Sequence, residues 1–477
     1  MARINTNVSA LVAQRHLGTS YRDLNQTIAR LSSGLRITRG ADDPSGLIVS
    51  ERLRSEIEAV KQAITNTRRA SNIIATTEGA LDEVARLLND LQQRIVEAAN
   101  SGALSEDEIR ANQLQVDSVI ASITRIANTT TFAGRNLLDG SLGYITSGVN
   151  HGSIDALNIH GVQFGTQSYV PVNVEVTQSA QPGQVLFPAS SVANTVTIEV
   201  AGNVGVTTLS FTSGTSVDSI IAAVNQLSDS TGVKASYINP SNPDSGVALS
   251  STGLGSKQFV SVQALPGGGS FNVTDVDGNS VTRDNGRDAT ALINGALALA
   301  DGNSLLLKTA VLDIELALNK NFGVGTTQFA ITSGGALFQV GPQVTSALQV
   351  NIGVQSVSAS RLGNTAVGFL SQIQSDGDFS LIKGKARDAQ LIVNEAIRQV
   401  SVLRGRLGAF EKNTLDTNAE QLAITAENLA ASESTIRDAD FAAETSRLAR
   451  SQVLVASGTS VLALAQSSQQ SVLQLLG

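Results

Sequence analysis

The chain has 477 residues, no Cys, three His, 4% aromatic residues and a formal net charge of −8. That length carries roughly two to four domains with sizeable cores. Without Cys there are no disulfide staples or thiolate metal sites; the acidic balance speaks against a nucleic-acid polyanion as main partner, and so few aromatics are thin material for a ligand pocket.

At the N-terminus, "MARINTNVSALVAQRHLG" lacks the continuous apolar core of a secretory signal. Leu17, Leu24, Ile28, Leu31 and Leu35 follow steps of seven, four, three and four, which predicts a first helix with a coiled-coil stripe. The stretch "RLSSGLRITRGADDPSGLIVSERLRSEI" (30–57) breaks it. Gly34, Gly40, Pro44 and Gly46 stop one helix and start another, with Asp43 as N-cap and Pro44 at the first helical position. Leu53, Ile57, Val60 and Ile64, then Ile74, Leu81, Val84, Leu88, Leu91 and Ile95, carry the frame onward. They predict a helix over about 46–99, roughly 80 Å long at 1.5 Å per residue. A third seam, Ile109, Val116, Ile120 and Ile123, follows Ser105, with Glu108 at the capping-box position. "IANTTTFAGRNLLDG" ends this helical half with turn residues.

The centre is different. Residues 141–380 hold only 22 of the 74 charged side chains and are dominated by Gly, Ser, Thr, Val and Asn, so strands and turns are expected. Within it, 194–265 reads strand, Gly turn, strand, then a helix over about 216–228 on Val217, Ile220, Ile221, Val224 and Leu227.

Beyond the centre the 4-3 rhythm returns at Ala396, Val400, Leu403, Leu407, Phe410, Thr414 and Thr417, and again at Leu454, Gly458, Val461, Ala465, Ser468, Val472 and Leu475, with a break over Ser432–Asp440. A two-per-seven stripe must lie against another helix, and the simplest supply is the other chain end. Small residues at Gly458, Ala465 and Ser468 allow close approach. The expected fold is α+β and multidomain, with the termini paired in an antiparallel bundle and a β-rich insert between them. Ser, Gln and Thr interrupt the tail too often for a membrane span, so no membrane insertion is expected.

Little in the chain reads as catalytic. "DVDGNS" puts Asp275, Asp277 and Asn279 at calcium-loop spacing, but Ser280 and Gly286 stand at the sixth and twelfth positions, and a hairpin turn is the better reading. "LPGGGS" (265–270) lacks the P-loop Lys and its strand-to-helix setting. His16, His151 and His160 pair with no obvious nucleophile and acid. No enzyme, cofactor or metal is expected.

"MARINTNVSALVAQRHL", "LSSGLRITRGADDPSGL", "IANTTTFAGRNLLDG" and the tail "ESTIRDADFAAETSRLARSQVLVASGTSVLALAQSSQQSVLQLLG" closely resemble bacterial flagellin, the flagellar filament subunit. "ALFQVGPQVTSALQVNIGVQSVSASRLG" (336–363) resembles the family's rod β-hairpin, and 194–265 a module inserted in many flagellins and hook proteins. The resemblance implies an inner helical domain (1–42 with 435–477), a rod domain (43–165 with 331–434) and an outer variable β domain (166–330). It also implies export through the flagellar channel with an export apparatus and chaperone, extracellular polymerisation with further copies, and cap and hook-junction proteins as partners. Alternatives are a hook–filament junction protein, or a stalk displaying the insert as an adhesin or enzyme.

On this reading Leu17, Leu24, Ile28, Leu31, Leu35, Leu454, Val461, Val472 and Leu475 make the assembly interface. Arg30, Arg36, Asp42, Asp43, Arg52, Arg437, Asp438 and Asp440 make spoke and inter-subunit polar contacts. In flagellins detected by the flagellin-sensing Toll-like receptor, the helix holding Asp90, Gln93, Arg94 and Glu97 carries an Arg and, four residues on, a receptor-contacting Leu. Here Asp90 and Arg94 take those places, so weakened recognition by that innate receptor is expected.

Overall fold

The computed structural model describes residues 6–100, 102–165, 167–365 and 367–474, with side chains through Ser468 at the C-terminal end. The fold is α+β, helical at both ends and β-rich between. Eight described α-helices occur in chain order: α1 Val8–Ser33, α2 Pro44–Ala99, α3 Glu106–Thr129, α4 Val217–Gln226, the single turn α5 Ser228–Thr231, α6 Ala386–Phe410, α7 Thr417–Arg437 and α8 Phe441–Gln474. The chain divides into two compact units, Met1–Ser71 with Gln339–Val344 and Lys412–Gly477, and Asn72–Phe338 with Thr345–Glu411.

In the first unit, α1 begins on Asn7, whose side-chain oxygen accepts from the Ala10 N–H at 2.9 Å, and ends at Gly34 in the left-handed region. α2 begins as the sequence predicts: Asp43 Oδ1 accepts the Gly46 N–H at 2.8 Å and Pro44 opens the helix. Gly46 also lies so close to Ile37 that a Cβ would meet Ile37 Cδ1 at 2.8 Å. Val60 and Ala63 of α2 pack with Leu422 of α7, flanked by Ile64, Ala426 and Leu429. Asn418 Nδ2 donates to Thr67 Oγ1 at 3.3 Å and to the Val340 carbonyl at 2.7 Å.

The heptad predicted through Phe410, Thr414 and Thr417 does not hold. Between α6 and α7 the backbone takes a π-helical form over Glu411–Asp416, and the buried positions step from Leu407 to Leu415 and then Leu422. A π segment inserts one extra residue into the repeat, so the stripe jumps eight residues instead of seven and Thr417 is exposed. The C-terminal break is also shorter than expected: α7 runs through Arg437, and only 438–440 lie outside helix.

In the second unit, Ile74, Leu81, Val84, Leu88, Leu91 and Ile95 of α2, Val116, Ile120 and Ile123 of α3, and Ala396, Val400 and Leu407 of α6 are buried. α3 starts with the predicted capping box, Ser105 and Glu108 bonding reciprocally. Gln92 Nε2 donates to Asn394 Oδ1 at 3.1 Å and Arg404 meets Asp82 at 3.0 Å, fixing α2 antiparallel to α6. Gln113, fully buried, donates to the Ile373 carbonyl at 2.9 Å and accepts the Leu381 N–H at 2.7 Å, fastening α3 to the irregular segment before α6.

The β-rich part holds two separate cores. A sandwich pairs a five-stranded sheet, centred on Val170–Gln178 and Gly325–Gly334, with a four-stranded sheet of Leu299–Asp301, Ser304–Lys308, Leu312–Leu318 and Ile154–Val162. Val172, Val174 and Val176 alternate inward as a half-buried strand requires and meet Phe329, Leu305, Ile314 and Leu316. The second core belongs to the inserted module, which sets α4 among a four-stranded and a three-stranded sheet. It contains Ile198, Val200, Ile220, Val224 and Val262, and extends past 194–265 to take in Val185, Phe187, Phe271 and Val273. α4 covers the predicted stretch but stops at Gln226.

The module joins the sandwich where Gln181 and Arg287 exchange backbone hydrogen bonds of 2.8 and 2.9 Å, with Leu254 packed on the sandwich core and Lys257 paired with Asp301. The hairpin strands Ala336–Gln339 and Gln349–Ile352 pair as predicted. Gly335 and Gly353 flank them against the Tyr144 ring, where a Cβ would come within 2.9 and 2.5 Å.

Because the two cores share no fully buried residue and Gln181 pairs directly with Arg287, replacing 182–286 with a Gly-Gly link should leave the remaining chain folding cooperatively, less the contribution of Leu254 to the sandwich core, and 182–286 alone should fold as an independent body. Circular dichroism with urea titration reads both; loss of a cooperative transition in the shortened chain contradicts the division.

Candidate assembly interface

The two chain ends meet in the first unit. A Cβ on Gly458 would lie 3.1 Å from Leu17 Cδ1, Asn7 Nδ2 donates to the Ala465 carbonyl at 2.9 Å, and Arg30 Nη1 lies 3.4 Å from Glu444 Oε1. As the numbering rises on α1 it falls on α8, so the pair is antiparallel. The buried and half-buried positions of α1 include Ala13, Leu17, Ser20, Leu24, Thr27 and Leu31, beside Ala10, Gln26, Ala29 and Arg30, and those of α8 include Glu444, Leu448, Ser451, Val455, Gly458, Leu462 and Ala465. Ala13 to Leu31 on α1 and Glu444 to Ala465 on α8 mark two stripes of 4-3 spacing. With Leu17 over Gly458, the register sets Leu24 opposite Ser451 and Ala13 opposite Leu462, large against small along the seam.

The breaks also meet. Leu35 and Asp438 form an isolated antiparallel bridge, the Arg36 N–H donates to the Arg437 carbonyl at 2.7 Å, and the Ala439 N–H to the Gly34 carbonyl at 2.9 Å. Arg36 Nη2 donates to the Ile436 carbonyl at 2.5 Å. Arg437 pairs with Glu51 at 2.8 Å, and Asp438 accepts from Ser434 Oγ at 2.6 Å. Asp440 caps α8, accepting from Ala442 and Ala443. Asp42 accepts from the Thr38 hydroxyl, the Thr38 and Arg39 amides and Gln26. The Thr38 hydroxyl and the Arg39 amide hold its carboxyl below the usual carboxylate range. Arg52 is exposed, with no ion-pair partner among the described residues.

Of the expected interface residues, Leu17, Leu24 and Leu31 lie on the seam and Leu35 on the bridge. Ile28, Leu454 and Val461 do not; they are 48, 46 and 55% exposed. Among the described side chains the predicted C-terminal frame shares Gly458 and Ala465 with the seam, because the small Ser451 and the charged Glu444 hold positions that an apolar-residue search passes over. The side chain of Val472 and all of Leu475 lie outside the described residues. Glu444 was missed altogether. It is 3% exposed, accepts from Arg30 and Arg447, and its Oε2 has no partner among the described residues; its seven-residue spacing from Ser451 was the available signal.

The outer faces are strongly apolar. Val8, Leu11, Val12, Tyr21 and Ile28 of α1, Ile48 and Val49 of α2, and Phe441, Val453, Leu454, Val461 and Leu464 of α8 are all exposed. By length and composition Phe441–Ser468 is long and apolar enough to cross a membrane, although it carries Glu444, Arg447 and Arg450 beside its Ser, Thr and Gln. An uncovered apolar surface on this scale marks an interaction face.

On α2, Arg94 lies between Asp90 at 3.6 Å and Glu97 at 3.5 Å, with Gln93 exposed beside them. The "DVDGNS" turn is closed by its own side chains, Asp275 accepting from both the backbone and the amide of Asn279. Among the described residues no group of three His, Cys, Asp or Glu is placed to hold a metal.

This geometry defines a chain whose ends close on each other along a narrow seam and leave a broad apolar coat for further copies. Residues 4–142 match the bacterial flagellin N-terminal helical region, 391–476 the flagellin C-terminal helical region and 195–253 the flagellin hook IN motif. Flagellin B of Helicobacter pylori is 28% identical over 99% of both chains, and the B-type flagellin of Pseudomonas aeruginosa 29% over 99% of both. A solved hook-associated protein 3 of Legionella pneumophila is 13% identical, covering 81% of this chain and 98% of its own, with a TM-score of 0.31, too low to bear on the argument. The chain belongs to the bacterial flagellin family.

Two outcomes follow. Glu444→Ala strands Arg30 in the seam and should cost about 3–5 kcal/mol in urea unfolding followed on the helical signal, whereas Glu58→Ala, which breaks an exposed pair with Lys61, should leave the midpoint unchanged. Asp42, with its folded-state pKa depressed, contributes stability above the unfolded carboxylate pKa near 4 that disappears as pH falls through the folded value. Asp42→Asn should therefore lower the midpoint at about pH 7, with the gap closing as pH falls through the depressed folded-state value.

Proposed function

We infer that this chain is a structural subunit of the extracellular bacterial flagellar filament, exported through the flagellar channel and polymerised into the helical filament used for motility. The carrying observation is the apolar exterior of the paired termini, in a chain that matches flagellin at both ends. The seam holds each copy's ends together; the outer faces, different on α1, α2 and α8, give heterologous contacts that build an open helix when rotation does not close a ring. The match over 391–476 includes the apolar stretch of α8, which favours burial among copies over burial in a bilayer.

Several finer readings belong to the proposal. Ile28, Leu454 and Val461 meet a neighbouring copy, while Leu17, Leu24, Leu31 and Leu35 act within the chain. Arg30, Arg36, Asp42, Asp43, Arg437, Asp438 and Asp440 shape the connection between the helical layers, and Arg52 is free to pair with a neighbour. An export apparatus and chaperone, a cap and hook-junction proteins are the further partners. Three domains, 1–42 with 435–477, 43–165 with 331–434, and 166–330, describe the subunit in the polymer. The Asp90–Arg94–Glu97 ladder presents charge where a receptor anchor would need an apolar side chain, and weak innate recognition is the expected consequence.

Leu454→Glu with Val461→Glu separates assembly from folding, because both side chains are exposed in the single chain. The doubly substituted protein should match the parent in thermal unfolding yet form no filaments in seeded polymerisation followed by electron microscopy. Filaments at the parental rate would contradict the assignment.

A further inference from the structure

One titratable cluster lies on paired strands of the sandwich, where His160 meets Glu315. His160 is the extra residue of a β-bulge: Ile159 pairs with Ile314 and Gly161 with Asp313, and nothing stands opposite His160. A bulge re-aims its side chain, and here the imidazole is drawn in, 14% exposed. Nε2 is buried without a hydrogen-bond partner among the described residues and faces Glu315 Oε2 at 3.6 Å. That separation is too long for a hydrogen bond and short enough for an ion pair once the ring is charged. The His160 carbonyl meanwhile accepts the Gly353 N–H at 3.1 Å, and Asn158 Oδ1 accepts from Gln355 Nε2 at 3.1 Å, so the bulged strand also carries the segment that follows the hairpin.

The charges around the ring come from three elements. Leu312–Leu318 supplies Asp313 and Glu315, and Ser304–Lys308 supplies Lys308 opposite Asp313. α6 supplies Glu395 and Arg398, joined at 2.8 Å, with Arg398 also feeling the Glu315 charge. Residues 349–357 bring no charged side chain. Tyr144, whose hydroxyl accepts the Val162 N–H and whose pKa burial raises to about 12, stays neutral. Arg398 is engaged by Glu395, so Glu315 is the carboxylate that meets the imidazole directly. Burial pushes the Asp313 carboxyl up, leaving Glu315 as the acceptor in line with Nε2.

We propose that His160 is a proton-operated latch: on mild acidification its Nε2–H donates to Glu315 and fixes the bulged strand Ile154–Val162 onto Leu312–Leu318, tightening the sandwich and the segment that it carries. The step is a proton uptake from solvent and breaks no bond. A latch that binds its proton more tightly folded than unfolded stabilises fully below the unfolded imidazole pKa near 6.5 and loses that contribution as pH rises through the folded one.

The test uses the full chain labelled with ring-13C histidine, whose three signals are assigned with His160→Gln. His16 and His151 are exposed and act as internal references. His160 should titrate at higher pH than both, and Glu315→Gln should move it to lower pH. His160→Gln should melt about 2–4 °C below the parent at about pH 5 and together with it at about pH 8. A His160 signal that titrates below both references, or one that Glu315→Gln leaves in place, overturns the latch. So does a melting difference equal at the two pH values.

Discussion

The molecule depends on a seam only one stripe wide. α1 and α8 bury two residues in seven, and several of those are Ala, Ser, Thr and Gly. Close approach of Leu17 to Gly458 is possible because position 458 has no side chain, and the Arg30–Glu444–Arg447 charges sit where the seam reaches the connection between helices. Such a seam fixes register through fit and buried polar pairing more than through apolar area. It leaves most of the apolar surface of both helices outside, and that remainder is what a neighbouring copy can cover. Folding therefore draws on one face of each helix and leaves the other uncovered in the single chain.

The connection between helical layers follows the same economy. Instead of two independent loops, the chain breaks at 34–43 and 438–440 and hydrogen-bonds one break to the other through Gly34, Leu35, Arg36, Arg437 and Ala439. Asp43 and Asp440 each start a helix, and Asp42 holds the turn before α2. Most of the charged residues of this region are engaged within the chain. Farther along, the module is inserted in the sandwich, joined by the Gln181–Arg287 pair and by Leu254, Ser256 and Lys257 against the sandwich edge.

Much of this was legible in the sequence where one residue type has one physical use. Asp-Pro before an apolar frame started α2 where expected, Ser105 and Glu108 made the capping box, and charge depletion marked the β-rich centre. The pairing of the termini followed from a stripe too narrow to stand alone. Frame errors came where the helix leaves its regular repeat or where the seam is built from small and charged residues. The π segment shifted Phe410, Thr414 and Thr417 out of register with Leu415 and Leu422, and Leu454 and Val461 drew attention as apolar residues although Ser451 and Val455 face inward. Glu444 was invisible because a buried carboxylate is defined by partners some 414 positions away. His160 was invisible because a bulge is a property of pairing, which a single strand does not disclose.

The chain has no Cys, so Val461→Cys provides one thiol on the outer face of α8. Maleimide labelling of that thiol in the monomer and in the assembled filament compares its accessibility directly. The account predicts rapid labelling of the single chain and strong protection in the polymer, with Lys61→Cys on the polar face of α2 as an unassembled-state rate reference. A Val461→Cys thiol protected to the same degree in both states would show that the chain covers its own apolar coat, and the division of labour between seam and exterior would fail.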